Sequence, residues 1–238
     1  MLSLSIVLPA YNEEENVERA VNHVSEVAQG LDREYEIILV NDGSADRTGE
    51  IARQLEGRVP QFRLVEHYPN RGYGGALKAG FEAATKDLIA FYPGDAQFDF
   101  AEIERLLEPA ESGEADVVCG YRFDRQDHFV RKLNAFGWNS VVRVLFGQLC
   151  RDIDCGFKLF RRDILDHVQI ASDGAMIDTE FLAGAKARGY RIAEVPLTHL
   201  PRGAGEATGA NLAVIVKAFR DLVRFRARLS RELREESR

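Results

Sequence analysis

The sequence predicts an α/β fold in one domain, built on a mainly parallel sheet. Short apolar runs rich in β-branched residues alternate with helical patterns along the first half of the 238-residue chain. Such alternation indicates βαβ units joined by right-handed crossovers. No repeat, low-complexity stretch or Pro-, Gly- or Ser-rich linker divides the chain, which is long enough to bury a sizeable core.

Strands and helices are predicted to alternate strictly along the first half of the chain, and their order is less regular in the second half. Asn12, followed three residues later by Glu15, has the pattern of a capping box at the start of the first helix. In the first half, strands are predicted at residues 4–8, 36–40, 63–66, 88–92 and 116–119, and helices at 13–29, 47–56, 73–85 and 100–112. The second half has helices near 129–146, 178–188 and from 212, and strands at 156–160 and 190–195. We assign residues 1–210 to the domain and residues 211–238 to a basic amphipathic helix and tail.

The charge distribution excludes some functions and favours others. A net charge of -7 argues against a general nucleic-acid binder, which would show a basic domain. Two basic islands stand out: residues 120–162 hold nine Lys or Arg against four Asp or Glu, and residues 211–238 hold eight against four. These islands indicate a local anionic partner, such as the surface of an anionic membrane.

The chain also lacks the marks of export and of membrane spanning. Three cysteines form neither a metal-ligand spacing nor an even disulfide framework, so we expect free thiols in a reducing cytoplasm. The apolar start has no basic region before it, and no run of 18 apolar residues is present. We therefore expect a cytoplasmic protein, peripheral on the membrane face, that touches a membrane without crossing it.

Four predicted strands end in polar or glycine-rich sequence. In open parallel sheets, ligands bind outside the carboxyl ends of the strands. The four ends read PAYNEE, VNDGS, HYPNRGYGG and YPGDAQFD. We therefore expect these segments to share one crevice.

Asp42 follows the second strand directly, with Gly43 beside it to permit a tight turn. A carboxylate at this position can accept hydrogen bonds from a nucleobase N–H or from ribose hydroxyls. The alternative is that Asp42 only caps the next helix. Asp46 is better placed for that role, which leaves Asp42 free.

The glycine-rich segment after the third strand is not a dinucleotide fingerprint. Gly72 and Gly74 have its spacing, but Leu77 occupies the position of the third glycine, so we reject a Rossmann oxidoreductase. The glycines can instead let Arg71 and a helix N-terminus approach a diphosphate. A glycine turn that only opens a helix is an equal alternative.

The segment after the fourth strand has the ligands of a reduced metal site. Asp95 and Gln97 offer oxygen atoms, which Mg²⁺ and Mn²⁺ prefer, often in combination with substrate phosphates. Pro93 stands where such loops commonly carry another Asp, so we expect a weaker site that fills mainly when substrate phosphates add their oxygen atoms. An ordinary structural turn is the alternative.

Two basic segments have helical patterns. Residues 129–147 include Arg131, Lys132 and Arg143, and residues 212–229 include Lys217, Arg220, Arg224, Arg226 and Arg228. Both patterns are typical of amphipathic helices that rest on anionic lipid. For the first segment, a helix packed on the sheet with a solvated basic face is an equal alternative.

The motifs together are more specific than any one of them. PAYNEE, VNDGS, NRGYGGALKAG, a D-A-Q loop, GYR, DIDCGFKLFR, DTEF and EVPLTHLPR follow in this order over about 200 residues. This order resembles the family 2 glycosyltransferases of the GT-A fold, most closely the polyprenyl (dolichol) phosphate mannosyl- and glucosyltransferases. The resemblance implies a single doubly wound sheet with helices on both faces. It also implies inverting transfer of a hexose from GDP-mannose or UDP-glucose to a polyprenyl phosphate, with Mg²⁺ or Mn²⁺.

The resemblance also assigns roles to individual residues. It places the nucleotide-sugar donor at Pro9, Tyr11, Glu13, Asp42, Arg71 and Lys78. It places the metal at Asp95 and Gln97, and it assigns catalytic roles to Asp95, Arg122, Asp152, Glu180 and Arg202. Two departures from the family motifs are Pro93 in place of an Asp and Cys155 in place of a Ser or Thr.

The chemistry of the acceptor separates the possible functions. A phosphate monoester has a second pKa near ~6 and is largely dianionic at neutral pH, so it needs little help from a general base. Arg122, Arg131 and Lys158 are then candidates to hold the lipid phosphate. A saccharide hydroxyl acceptor would need a base, either Asp178 or Glu180. A catalytically inactive nucleotide-sugar binder, with Pro93 as the lesion, is the third hypothesis.

Overall fold

A computed structural model of the protein describes residues 1–94, 97–123, 129–174, 176–199 and 212–236, without the side chains of residues 129–136 and 212–219. Within these residues, the strands are β1 (Leu4–Ala10), β2 (Tyr35–Asp42), β3 (Phe62–His67), β4 (Leu88–Phe91), β5 (Val117–Phe123), β6 (Lys158–Arg161) and β7 (Ile192–Thr198). The helices are α1 (Val17–Gly30), α2 (Thr48–Glu56), α3 (Gly72–Ala83), α4 (Ile103–Glu111), α5 (Phe129–Phe146), α6 (Met176–Ala187) and α7 (Leu212–Glu236). Short 3-10 turns lie at Phe100–Glu102 and Arg162–Asp166.

The strands form one mixed sheet in the order β3-β2-β1-β4-β6-β5-β7. β6 runs antiparallel to both of its neighbours, β4 and β5, and the other strands pair in parallel. The predicted mainly parallel sheet is therefore confirmed, with one inserted antiparallel strand. Periodicity predicted β6 but could not give its direction, because side chains alternate identically in either direction.

Helices cover both faces of the sheet, as predicted. Leu4, Ile6 and Leu8 of β1 join the core beneath α1, α2 and α4, whereas Val7 joins the core beneath α3 and α6. Successive side chains of a strand point to opposite faces, so a strand buried on both sides is continuously apolar. Phe225 and Leu229 of α7 belong to the second core, which packs this helix against the domain. The domain boundary at residue 210 stays a prediction, since residues 200–211 lie outside the described residues.

The start of α1 differs from the prediction, whereas the start of α2 agrees with it. Asn12 adopts a φ of 54°, and its Oδ1 accepts a hydrogen bond from the Ala45 N–H at 2.8 Å. The helix begins only at Val17, so the capping box at Asn12 and Glu15 is wrong. A contact with a distant loop satisfies the Asn12 side chain, and local sequence cannot reveal such a contact. Arg47 is the N-cap residue of α2, and Asp46, one residue earlier, accepts from the Thr48 N–H at 3.0 Å, so Asp46 satisfies a donor at the helix start from outside the cap position.

Lys158 is buried in the middle of the sheet. Its side chain is 0% exposed, and its ammonium donates to Asp178 Oδ1 at 2.6 Å, to the Ile153 carbonyl at 2.9 Å and to the Cys155 carbonyl. Burial lowers the pKa of Lys158 and is the largest single effect, but the Asp178 carboxylate and three nearby cysteines together outweigh it, so the pKa is raised. The expectation that Lys158 holds the lipid phosphate is wrong, because these protein groups surround its ammonium.

Replacing Lys158 with Met is expected to lower the free energy of unfolding by about 3–5 kcal/mol, since it leaves the buried Asp178 carboxylate unpaired. Urea denaturation measures this loss. The double variant Lys158→Met with Asp178→Leu should recover much of it, because an apolar pair requires no charge compensation. Arg161→Met, at an exposed ion pair of the same strand, is the control and should cost less than about 1 kcal/mol. Equal losses for Lys158→Met and its control would contradict a buried ion pair.

Candidate active site

The predicted donor segments converge on the carboxyl edge of the sheet. Pro9 lies near the end of β1, Tyr11 and Glu13 lie in the loop after it, and Asp42 is the last residue of β2. Arg71 lies directly before α3, which carries Lys78. Hydrogen bonds join the loop after β1 to the segment after β2. Tyr11 lies in the first of these loops and is 52% exposed.

Asp42 is almost fully buried and is held from two sides. Its Oδ1 accepts from the Arg71 main-chain N–H at 2.9 Å and lies 3.1 Å from His67 Nδ1. Its main-chain carbonyl accepts from Asn70 Nδ2 at 2.8 Å. The expectation that Asp42 is free therefore holds only for Oδ2. Sequence reasoning missed His67, whose position at the end of the neighbouring strand was the available signal.

The glycines at the start of α3 pack against another loop of the protein. A Cβ on Gly74 would lie 2.7 Å from the carbonyl carbon of Asp173, and one on Gly72 would lie 2.9 Å from the Asp173 oxygen. The Gly74 N–H donates to that same oxygen at 2.9 Å. Lys78 forms an ion pair with the Asp173 carboxylate. Close contact with residues 172–174 therefore requires these glycines, whatever ligand lies nearby.

Glu180 holds the other end of this loop. Its Oε2 accepts from the N–H groups of Ala171 at 2.9 Å and Ser172 at 3.0 Å. Its Oε1 lies 3.2 Å from a guanidinium nitrogen of Arg228 on α7. The side chain is 5% exposed and lines an open cavity of about 870 Å³ between the loop, α6 and α7. Two N–H groups thus donate to one oxygen of Glu180 and an ion pair with Arg228 engages the other, and the catalytic role of Glu180 stays a prediction.

Arg122 and Asp152 form a bidentate pair at the end of β5. Nε of Arg122 lies 2.7 Å from Oδ2 of Asp152, and an Nη atom lies 2.7 Å from Oδ1. Both side chains are less than a tenth exposed. Two parallel charge-assisted hydrogen bonds fix the plane of a guanidinium. The pair therefore gives Arg122 a rigid orientation.

The predicted metal ligands are only partly described. Gln97 Nε2 lies 3.3 Å from Nε2 of His199, a residue after β7 that sequence reasoning did not single out. The amide oxygen of Gln97 is a hard donor that suits Mg²⁺ or Mn²⁺. Asp95 and Arg202 lie outside the described residues. Among those that are described, no three His, Cys, Asp or Glu residues form a metal-binding group.

Comparison with known sequences identifies related proteins. Residues 5–169 match the family model described as glycosyl transferase family 2. The chain is 33% identical over 210 residues to glycosyltransferase AglD of Haloferax volcanii, covering 85% of this chain and 34% of that protein. It is 33% identical over 206 residues to dodecaprenyl-phosphate galacturonate synthase of Rhizobium johnstonii, covering 86% and 61%. It is 32% identical over 222 residues to undecaprenyl-phosphate 4-deoxy-4-formamido-L-arabinose transferase of Edwardsiella ictaluri, covering 92% and 66%.

Solved structures have the same fold. Glucosyl-3-phosphoglycerate synthase from Mycobacterium tuberculosis, crystallised with Mn²⁺, uridine diphosphate and glucosyl-3-phosphoglycerate, superposes with a TM-score of 0.72. The sequences are 22% identical, and the match covers 94% of this chain and 78% of that one. The predicted GT-A fold is thereby confirmed. The curated relatives are longer than this chain, which spans 34%, 61% and 66% of their respective lengths.

Replacing Glu180 with Ala is expected to lower the free energy of unfolding by about 1–3 kcal/mol, because two N–H groups under α7 lose their acceptor. Glu180→Gln keeps an acceptor oxygen and should cost less. Urea denaturation compares the two variants. Glu235→Ala, on the exposed rim of the same cavity, is the control and should stay within about 0.5 kcal/mol of the parent. Equal costs for the Ala and Gln variants would show that the loop does not depend on this acceptor.

Proposed function

Because the chain belongs to glycosyl transferase family 2, we propose that it transfers a hexose from GDP-mannose or UDP-glucose to a polyprenyl phosphate. The transfer inverts the anomeric carbon and takes place at the cytoplasmic face of a membrane. Two relatives at 33% and 32% identity are named for transfer to a polyprenyl phosphate, which supports this acceptor.

The donor would lie across the ends of β1 and β2. Asp42 offers Oδ2 to the base or ribose, and the exposed Tyr11 ring offers a surface for stacking. Pro9 and Glu13 border the same loop, and Arg71 places positive charge directly before α3, which also carries Lys78, paired with Asp173. A helix N-terminus favours negative charge, so the diphosphate would lie near Arg71.

A divalent metal would be held by Asp95 and Gln97, whose oxygen donors suit Mg²⁺ or Mn²⁺. When bound, such an ion neutralises the negative charge that develops on the leaving diphosphate. Arg202 would add positive charge to the same group. Pro93 packs against Gly156, with its ring 3.4 Å from the position of a Cβ there, and supplies no ligand.

The choice of acceptor rests on one observation: both candidate bases, Asp178 and Glu180, are already paired with groups of the protein. Asp178 accepts from Lys158 at 2.6 Å, and Glu180 is held by two N–H groups and Arg228. A hydroxyl acceptor needs a base within reach of its proton. A phosphate dianion needs alignment and charge compensation instead. Arg122, oriented by Asp152, would bind that phosphate together with Arg131, whose side chain lies outside the described residues.

Contact with an anionic membrane would involve α5 and α7. The rings of Phe146 and Phe225 stack at a centroid distance of 5.3 Å, so the end of α5 contacts α7. Val144 is 84% exposed and Val223 is 61% exposed. Arginines at positions 143, 220, 224 and 226 are exposed on the same helices. In the described part of the chain, no helix is long and apolar enough to cross a bilayer.

Incubation with labelled GDP-mannose or UDP-glucose, Mg²⁺ and a polyprenyl phosphate is expected to yield labelled sugar that extracts into organic solvent. The product should have the opposite anomeric configuration to the donor, as NMR can establish, and a chelator should abolish its formation. The control omits the lipid. Tight nucleotide binding without product from any donor would favour an inactive binder, and product only with a soluble saccharide would favour a hydroxyl acceptor.

Sedimentation with phosphatidylglycerol vesicles, but not with phosphatidylcholine vesicles, is expected at low salt and should weaken as salt rises, because exposed charges are screened. Replacing Arg220, Arg224 and Arg226 with Gln should reduce the bound fraction several-fold. The control replaces three exposed arginines of another surface with Gln and changes the charge equally: Arg47, Arg53 and Arg58. Equal loss in both triple variants would contradict a specific docking face on α7.

A further inference from the structure

One oxygen of the Asp42 carboxylate is already filled by the protein. A carboxylate oxygen has two acceptor sites. Oδ1 of Asp42 meets two donors, the Arg71 main-chain N–H at 2.9 Å and Nδ1 of His67 at 3.1 Å. Nδ1 is the donor in the second contact, since the ionised carboxylate can only accept. Among the described residues, none donates to Oδ2.

Both donors to Oδ1 are held in fixed positions. His67 ends β3 directly opposite Asp42 in the parallel register, and its side chain is 6% exposed. Arg71 contributes a main-chain group, which no side-chain rotation can remove. Asn70 bonds the Asp42 carbonyl, and its backbone nitrogen lies 2.8 Å from the position of a Cβ on Gly43, which has a φ of 68°. The segment from His67 to Arg71 therefore wraps closely around Asp42.

This geometry discriminates between nucleobases. Guanine presents two adjacent donors, N1–H and the N2 amino group, which match the two oxygens of one carboxylate. Uracil presents a single imide N–H between two carbonyl groups. Only 3% of the Asp42 side chain is exposed, and its Oδ1 is filled, so it offers one acceptor oxygen to a ligand.

We propose that His67 is a positioning residue that determines nucleotide specificity, by leaving Asp42 a single acceptor oxygen for the base and so selecting a uridine diphosphate sugar over a guanosine diphosphate sugar. The inference rests on the proposed function, because it assumes that Asp42 faces the base of the donor. A site that hydrogen-bonds one group of a ligand rejects an analogue that leaves a buried polar group unpaired. The two donors of guanine would have to share Oδ2, whereas the single imide N–H of uracil would have that oxygen to itself.

The test is calorimetric titration of the full chain with UDP and with GDP, in Mg²⁺, for the parent and three variants of His67. Asn carries an amide nitrogen at the same distance from Cβ as Nδ1, so His67→Asn keeps the donor. His67→Gln moves the donor one bond further, and His67→Leu removes it. The parent is expected to bind UDP at least about tenfold more tightly than GDP, which corresponds to one hydrogen bond.

The ratio of the two affinities decides the outcome. His67→Asn should retain the preference for UDP, whereas His67→Leu and His67→Gln should reduce it several-fold, because Oδ1 regains an acceptor site for guanine. A general structural role would weaken both nucleotides equally and leave the ratio unchanged, which would overturn the inference. If His67→Leu does not fold, as judged by thermal unfolding, the Asn and Gln variants make the same comparison.

Titration of the parent protein distinguishes a failure of the role of His67 from a failure of the proposed function. A parent protein that binds GDP more tightly than UDP would overturn the role of His67 and leave nucleotide-sugar transfer intact. A parent protein that binds neither nucleotide would overturn the proposed function, and this inference with it.

Discussion

The buried ion pair between Lys158 and Asp178 stabilises the second half of the chain, where the regular alternation of parallel strands and helices ends. Lys158 lies on the antiparallel strand β6, and Asp178 lies on α6. The same ammonium also bonds the carbonyls of Ile153 and Cys155, which fixes the loop before β6. That loop carries Asp152, whose carboxylate orients Arg122. A charge with no access to solvent thus sets the position of an arginine at the site.

A second chain of contacts joins the C-terminal helix to the donor side of the site. Arg228 of α7 pairs with Glu180, which holds the N–H groups of residues 171–172. The same loop packs on the start of α3 through the Gly74 N–H. The residue before that helix, Arg71, donates to Asp42. Docking of α7 and the shape of the candidate nucleotide pocket are therefore connected through an ion pair and a series of hydrogen bonds, without any shared ligand.

Much of the fold and of the family follows from local sequence. The strands and most helices lie where periodicity predicted them, and the ends of β1 to β4 carry the segments that suggested a shared crevice. The capping box at Asn12 failed because Ala45, 33 residues away, provides a better partner for its side chain. His67 and His199 escaped notice because a single histidine has no local pattern, and each contacts a partner far away in the sequence.

The sequence by itself determined the alternation of strands and helices, the doubly wound fold class and the family, because side-chain periodicity, turn chemistry and motif order are local or linear properties. Only the tertiary structure decided which charged groups remain open to a ligand. Lys158, Glu180 and one oxygen of Asp42 look equally available in the sequence, yet protein donors or acceptors engage each of them. The physical reason is that desolvation and pairing depend on residues brought together from distant parts of the chain.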